Sequence, residues 1–192
     1  MGRVYPLLAR QIIEDYRIER GICVEIGSGD GKLGLELAKL SGLHVYMVDI
    51  NCDALRRALD NAHEANLSGR ITVIPARAEQ LPFEECSADL IVSRGSIFFW
   101  EDRPKGLREA YRILKPGGVA FIGGGLSRYV SEGERRGFIK ARMAALKDEE
   151  GRREWMRLRS PQYFREILRQ AEIQDFKLIA DPPGIWVEIW KR

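Results

Sequence analysis

The sequence predicts an α/β domain, doubly wound around a mostly parallel sheet of seven strands. Three observations carry that prediction. Short apolar runs alternate with segments of helical spacing, the pattern of βαβ units. A glycine cluster, Gly27-Ser-Gly-Asp-Gly31, follows the first run directly, and an acid, Asp49, closes the second. In an open parallel sheet ligands bind outside the carboxyl ends of the strands, so the turn and the acid should face one crevice.

Residues 1–20 are expected to form an N-terminal helical cap. The first five strands fall at 22–26, 45–49, 71–74, 89–93 and 119–122, each an apolar run bounded by polar or turn residues. Helical spacing fills 33–40, 53–65 and 104–114. In the last, Leu107, Tyr111 and Leu114 share one stripe, and Pro104 suits a first helical turn. Lys115-Pro-Gly-Gly118 should stop that helix and turn the chain into the fifth strand. Residues 128–158 read as mainly helical and strongly charged, with interruptions at Gly133, Gly137 and Gly151. Because they follow a strand end, the segment 125–160 should lie as a helical lid on the rim of the crevice. Another helix is expected over 161–171. Strands at 176–180 and 185–190, joined by Asp181-Pro-Pro-Gly184, are close enough for a terminal hairpin, which makes one of them antiparallel to the rest.

With 192 residues and 45% hydrophobic content, the chain suits a single domain over 1–192 with one sizeable core. Its longest uncharged stretch, 116–127, has only 12 residues, too short to span a bilayer. Arg10, Glu14 and Asp15 interrupt any signal-peptide core, and Pro6 stands where a myristoylation signal needs Ser or Thr. A cytoplasmic protein is expected. Cys23, Cys52 and Cys86 are odd in number and widely spaced, so neither a disulfide framework nor a zinc clip is suggested. Buried or half-buried thiols are expected, with Cys86 the most exposed. No metal site is expected.

The net charge of +3 is unevenly placed. Residues 128–169 hold 12 Lys or Arg against 7 Asp or Glu, leaving 19 against 21 in the rest. Interleaved acids such as Glu132, Glu134 and Glu149 dilute this patch, which argues for a solvated amphipathic helix rather than a nucleic-acid surface.

The glycine turn allows close backbone approach to a ligand, and the helix that follows offers unpaired N–H groups. Read literally, Gly29-Asp-Gly-Lys-Leu-Gly34 matches the dinucleotide pattern GxGxxG, with Asp49 downstream. Register argues otherwise. If Gly27 opens the turn, the third glycine of that pattern should fall at Lys32, a bulky cation. Glu25, two residues ahead of Gly27, would repel a pyrophosphate and attract an ammonium or sulfonium group. The ligand implied is a cationic nucleoside.

On these residues the chain resembles class I S-adenosylmethionine-dependent methyltransferases, whose first motif is an acid two residues before a GxGxG turn. The resemblance extends through Asp49, Ala76-Arg-Ala-Glu-Gln-Leu-Pro-Phe83, Ala88-Asp-Leu-Ile-Val-Ser93 and Arg112-Ile-Leu-Lys-Pro-Gly-Gly118. It is strongest toward a small-molecule branch with Ala-Glu-x-Leu-Pro-Phe and Leu-Lys-Pro-Gly-Gly signatures. It implies a Rossmann-like fold, S-adenosylmethionine as cofactor and S-adenosylhomocysteine as product.

The resemblance also implies roles. Gly27, Ser28, Gly29 and Gly31 would wrap the methionine part, with Glu25 near its amino group. Asp49 would accept both ribose hydroxyls and Ile50 would pack on the adenine. Ala78 and Glu79 would border the adenine edge, while Ser93, Arg94, Gly95 and Ser96 would lie under the reactive methyl. Tyr5 is a weaker candidate for the methionine carboxylate. Phe98, Phe99 and Trp100 divide between core packing and a wall for substrate or cofactor, with Phe99 and Trp100 as the wall candidates. Arg77 departs from the acid common in this branch before Ala78, leaving it to stack on the ring or to face solvent.

Methyl transfer from a sulfonium is an in-line displacement in which the protein mainly aligns and desolvates, so no dedicated catalytic residue is required. The Asp-Pro-Pro-aromatic motif of amino-group methyltransferases acting on DNA or protein would follow the fourth strand, where this chain has Ser93-Arg-Gly-Ser96. Asp181-Pro-Pro-Gly184 lies elsewhere and reads as a turn. A small-molecule methyl acceptor is the expected partner. The rival readings are a non-catalytic S-adenosylmethionine-binding protein and an NAD(P)-dependent oxidoreductase, the latter opposed by Glu25 and Lys32.

Overall fold

The computed structural model describes residues 3–146, 148–181 and 184–192. In chain order the elements are α1 (Val4–Tyr16), β1 (Arg20–Ile26), α2 (Lys32–Leu40), β2 (Gly42–Asp49), α3 (Cys52–Glu64), β3 (Ile71–Pro75), β4 (Ala88–Arg94), α4 (Arg103–Ile113), β5 (Leu114–Gly124), α5 (Glu132–Ala145), α6 (Glu149–Arg157), α7 (Pro161–Gln170), β6 (Phe176–Asp181) and β7 (Gly184–Trp190), with a 3-10 turn at Ser96–Phe99 after β4. All seven strands join one sheet in the order β3-β2-β1-β4-β5-β7-β6. Pairing is parallel from β3 through β5, and β7 runs antiparallel to both β5 and β6.

The sheet has two buried faces because successive side chains of a strand point to opposite sides. In β1, Val24 and Ile26 join a cluster with Leu107, Ala110, Phe164 and Leu168 of α4 and α7. Cys23 belongs instead to the opposite cluster with Leu8 and Ile12 of α1, Leu33 and Leu37 of α2, and Ala58 and Ala62 of α3. The order in which strands are added reverses between the parallel neighbours β1 and β4, so their carboxyl ends open a crevice between the outgoing loops.

Helix starts are set by local chemistry. The side chains of Asn51, Asp102, Ser131, Asp148 and Ser160 each accept a backbone N–H in the first turn of α3, α4, α5, α6 and α7. Ser131 and Glu134 complete a reciprocal capping box.

These caps explain a departure from expectation. Gly133, Gly137 and Gly151 do not interrupt the charged segment but lie inside α5 and α6. A single helical glycine costs about 1 kcal/mol relative to alanine, which capping offsets. The break falls instead between α5 and α6.

Lys115-Pro-Gly-Gly118 is likewise not a separate turn. Extended backbone begins at Leu114, and the four residues form a bulge opposite Asp89, between the pairs Ala88–Leu114 and Leu90–Val119. Lys115 Nζ binds the Asp89 carboxylate at 2.8 Å, and Gly117, with φ of +78°, donates its N–H to the Lys191 carbonyl. Cys23 is buried, but Cys52 is exposed along with Cys86, since α3 begins on its solvent side. The hairpin prolines Pro182 and Pro183 lie outside the described residues. No helix among the described residues is long and apolar enough to cross a membrane.

Candidate functional site

The glycine turn leaves β1 at its carboxyl end and folds against β2. The N–H groups of Gly27 and Ser28 both donate to the Val48 carbonyl, at 2.7 and 3.0 Å. Gly27 has φ of +69°, and a Cβ there would lie 2.1 Å from the Cβ of Ser96. The turn therefore closes directly on the segment after β4, which only glycine permits. Gly29 also has positive φ, but a Cβ there would meet nothing within 4 Å, so its surface is open. Its N–H donates to Asp49 Oδ2 at 2.8 Å, while Asp49 Oδ1 accepts from Asn51 N at 2.9 Å. Asp49 thus ties the turn to the start of α3, and the cap of that helix is Asn51.

Glu25 lies behind the turn. It is 4% exposed, and its Oε2 accepts the Gly34 N–H, in the first turn of α2, at 2.9 Å. Gly31, the N-cap of α2, has no side chain to do this. Burial pushes the Glu25 carboxyl up to about 8; the Gly34 bond opposes the rise, and nearby Asp30 and Asp49 add to it. The buried Ser28 Oγ has no hydrogen-bond partner among the described residues.

Two cavities flank the segment after β4. One, of about 290 Å³, is lined by Ile26, Gly27, Asp49, Ile50, Ala76, Arg77, Ala78, Glu79, Ser96, Phe99, Trp100 and Glu101. The other, of about 410 Å³, is lined by Arg94, Gly95, Phe99, Gly124, Gly125, Phe138, Ala141, Arg142, Ala145, Trp155 and Arg159. Phe99 belongs to both, and it is 82% exposed whereas Phe98 and Trp100 are buried. Of the aromatic triplet, Phe98 is therefore core, Phe99 is the wall between the cavities, and Trp100 is a buried wall of the first.

A hydroxyl chain supports this wall. Ser96 Oγ donates to the Ile26 carbonyl at 2.8 Å and accepts from Trp100 Nε1 at 3.1 Å. Ser93 Oγ lies 2.6 Å from Ser96 Oγ, which makes Ser93 the donor there. Ser93 is fully buried in β4, and its hydroxyl holds Ser96 from beneath. Glu79 Oε1 accepts the Asp102 N–H at 3.1 Å, tying the loop after β3 to the start of α4. Arg77 lines the same cavity and pairs with Glu101 at 2.7 Å on its rim.

Apart from Tyr5 and from Ser28, Gly29 and Gly31 of the glycine turn, which line neither cavity, the sequence-expected residues fall into three groups. Gly27, Asp49, Ile50, Ala78, Glu79, Ser96, Phe99 and Trp100 meet around the first cavity, and Arg94 and Gly95 line the second with Phe99. Glu25 and Ser93 act from behind. Tyr5 lines neither cavity; its ring lies 4.9 Å beneath the Arg94 guanidinium. Sequence reading missed Phe138, Arg142, Trp155 and Arg159. Phe138, Ala141, Arg142 and Ala145 recur at helical spacing on α5, a one-sided stripe that could have pointed to the crevice.

The strand order, the antiparallel β7, the glycine turn after β1 and the acid ending β2 define a class I S-adenosylmethionine-dependent methyltransferase fold. Comparison with known proteins agrees. The family described as a methyltransferase domain matches residues 24–122, and the chain belongs to that family. A solved structure of a putative S-adenosyl-L-methionine-dependent methyltransferase from Methanococcus maripaludis is 37% identical, with a TM-score of 0.85 over 97% of this chain and 84% of that one. Phosphoethanolamine N-methyltransferase 2 of Haemonchus contortus, solved with phosphomonomethylethanolamine and S-adenosylhomocysteine, is 26% identical, with a TM-score of 0.63 over 90% of this chain and 38% of that one. The ubiquinone/menaquinone biosynthesis C-methyltransferase UbiE of Pseudoalteromonas translucida is 36% identical over 62% of this chain and 49% of its own length. The chain spans about half the length of that curated relative.

Proposed function

We propose that this chain transfers a methyl group from S-adenosylmethionine to a small molecule in the cytoplasm. The observation that carries the reading is the pair of cavities meeting at Phe99, one rimmed by the residues suited to a nucleoside and the other open beside it. The residues fit the cofactor. Asp49 keeps lone pairs for the two ribose hydroxyls after accepting from Gly29 and Asn51, since each carboxylate oxygen accepts twice. Ile50, 68% exposed, offers an apolar face to the adenine. The open surface of Gly29 and the orphaned Ser28 hydroxyl suit a polar ligand tail.

When bound, the cofactor supplies a methyl group on a sulfonium, an electrophile that needs no activation by the protein. The protein's part is alignment and exclusion of water. The Ser93–Ser96–Trp100 chain fixes the floor between the cavities, and Phe99 orients both ligands across it. Glu25 positions the start of α2, and with it the glycine turn, rather than touching the ligand. Among the described residues, the lining of the second cavity has no carboxylate, imidazole, thiol or phenol, so an acceptor that ionises gives its proton to water. The chain acts as one domain over 1–192, in which residues 125–160 are the lid and α1 is an anchored cap through the buried Leu8, Ala9 and Ile12. Free, widely separated thiols suit a reducing compartment.

Calorimetry with S-adenosylmethionine and with NAD tests the cofactor, and incubation with a metabolite extract read by mass shift tests transfer. Binding of the first, release of S-adenosylhomocysteine and one product heavier by a methyl group are expected. NAD binding without a response to S-adenosylmethionine contradicts the reading. Cofactor binding without turnover in any extract leaves a non-catalytic binder.

A further inference from the structure

The two cavities differ in charge. Asp49, Glu79 and Glu101 lie with Arg77 around the first, whereas the second is lined by three arginines and, among the described residues, no acid. Arg94 comes from the end of β4, Arg142 from α5 and Arg159 from the turn after α6. Among the described residues none of the three has a carboxylate within ion-pair distance, although Arg136, Arg153 and Arg157 of the same lid region each pair with a glutamate on their own helix. Arg159 is held instead over the rings of Phe98 and Trp155, at 3.7 and 4.3 Å from their centroids. Burial, and then Arg142 nearby, lower its pKa to about 10, so the cavity disfavours its own cation. The Trp155 indole N–H is buried with no acceptor among the described residues.

Converging cations without counter-ions, beside an unsatisfied donor, are stabilised by an anion entering between them. Phe99, Phe138 and Trp155 complete the wall with flat apolar surface. We infer that the acceptor bound in the second cavity is a planar apolar molecule carrying an oxyanion, a carboxylate or a phosphate, gripped by Arg142 and Arg159. This rests on the reading of that cavity as the acceptor site. An anionic acceptor also complements the positive sulfonium across Phe99.

Calorimetric titration of the full chain with benzoate, phenyl phosphate and neutral benzamide tests it, with and without saturating S-adenosylhomocysteine. At least one anion is expected to bind about tenfold or more tighter than benzamide, the size of one charge-assisted contact, and the better of the two identifies the anionic group. Arg142→Gln should weaken that preference several-fold while S-adenosylhomocysteine affinity stays as in the parent chain. Benzamide binding as tightly as both anions, or no binding of either anion, overturns the inference, and this comparison needs no variant. An undiminished preference in folded Arg142→Gln also overturns it. Failure of S-adenosylhomocysteine to bind strikes the proposed function instead, and the anion preference is then still read in the free protein.

Discussion

The buried carboxylate of Glu25 accepts the backbone N–H of Gly34 at 2.9 Å, doing for α2 what its glycine N-cap cannot. This contact makes stability depend on pH. Burial raises the Glu25 carboxyl to about 8 in the folded chain, above the ordinary carboxylate range that it regains on unfolding. Between those values the folded state holds the proton more tightly, so stability is greatest below the unfolded pKa and falls as pH rises toward the folded one. The loss, on the order of a few kcal/mol, is complete somewhat above pH 8. Glu25→Gln keeps an acceptor for Gly34 without the charge. Its denaturation midpoint relative to the parent chain should climb from about pH 5 to about pH 9. Parallel pH profiles for the two chains would remove Glu25 as the source.

Gly27→Ala should damage both folding and cofactor binding. The new methyl group would collide with the Ser96 side chain, and the backbone sits at φ of +69°. Overpacking and left-handed strain each cost about 1–3 kcal/mol. Adding Ser96→Gly removes the collision but leaves the strain, so the double variant should recover part of the loss, measured by urea denaturation. Additive effects would show that the contact is absent in solution.

Asp49→Ala should retain the fold and lose affinity for S-adenosylmethionine. Removing the carboxylate takes away the proposed ribose contact, worth about 1.5–3 kcal/mol, or roughly ten- to a hundredfold in Kd. The Gly29 and Asn51 N–H groups lose their acceptor too, but Gly29 is half-buried and Asn51 exposed, within reach of solvent. Unchanged affinity in a normally folded variant would contradict the ribose role.

Much of this site was legible because its signals are local. A strand, a glycine turn and an acid at the end of the next strand are short patterns whose geometry follows from topology, and Asp49 meets Gly29 as that pattern requires. Other features depended on packing. Ser93 reads as a crevice residue, and its hydrogen bond to Ser96 from beneath follows only from packing. The Lys115-Pro-Gly-Gly118 run carries turn chemistry, yet the Lys115–Asp89 pair and the Gly117–Lys191 bond hold it within the sheet as a bulge. Arg142 and Arg159 looked like part of a solvated charged segment, because the many charges there outweigh the short Phe138–Ala145 stripe by which α5 faces the crevice.

Phe99→Ala separates binding from folding. The side chain is 82% exposed, so its removal should change stability by no more than about 0.5 kcal/mol, the usual range for surface positions. Yet Phe99 is the one residue that lines both cavities, and its ring is the proposed surface that holds acceptor and methyl donor in line. Losing it should raise the acceptor KM and lower kcat, since misalignment of reacting groups slows the displacement even when both ligands are bound. Cofactor affinity should fall less, because Asp49 and Ile50 remain. Steady-state kinetics on an identified acceptor, with cofactor calorimetry on the same sample, measure these effects separately. Normal kcat and KM in the variant would show that the two ligands do not meet at this wall.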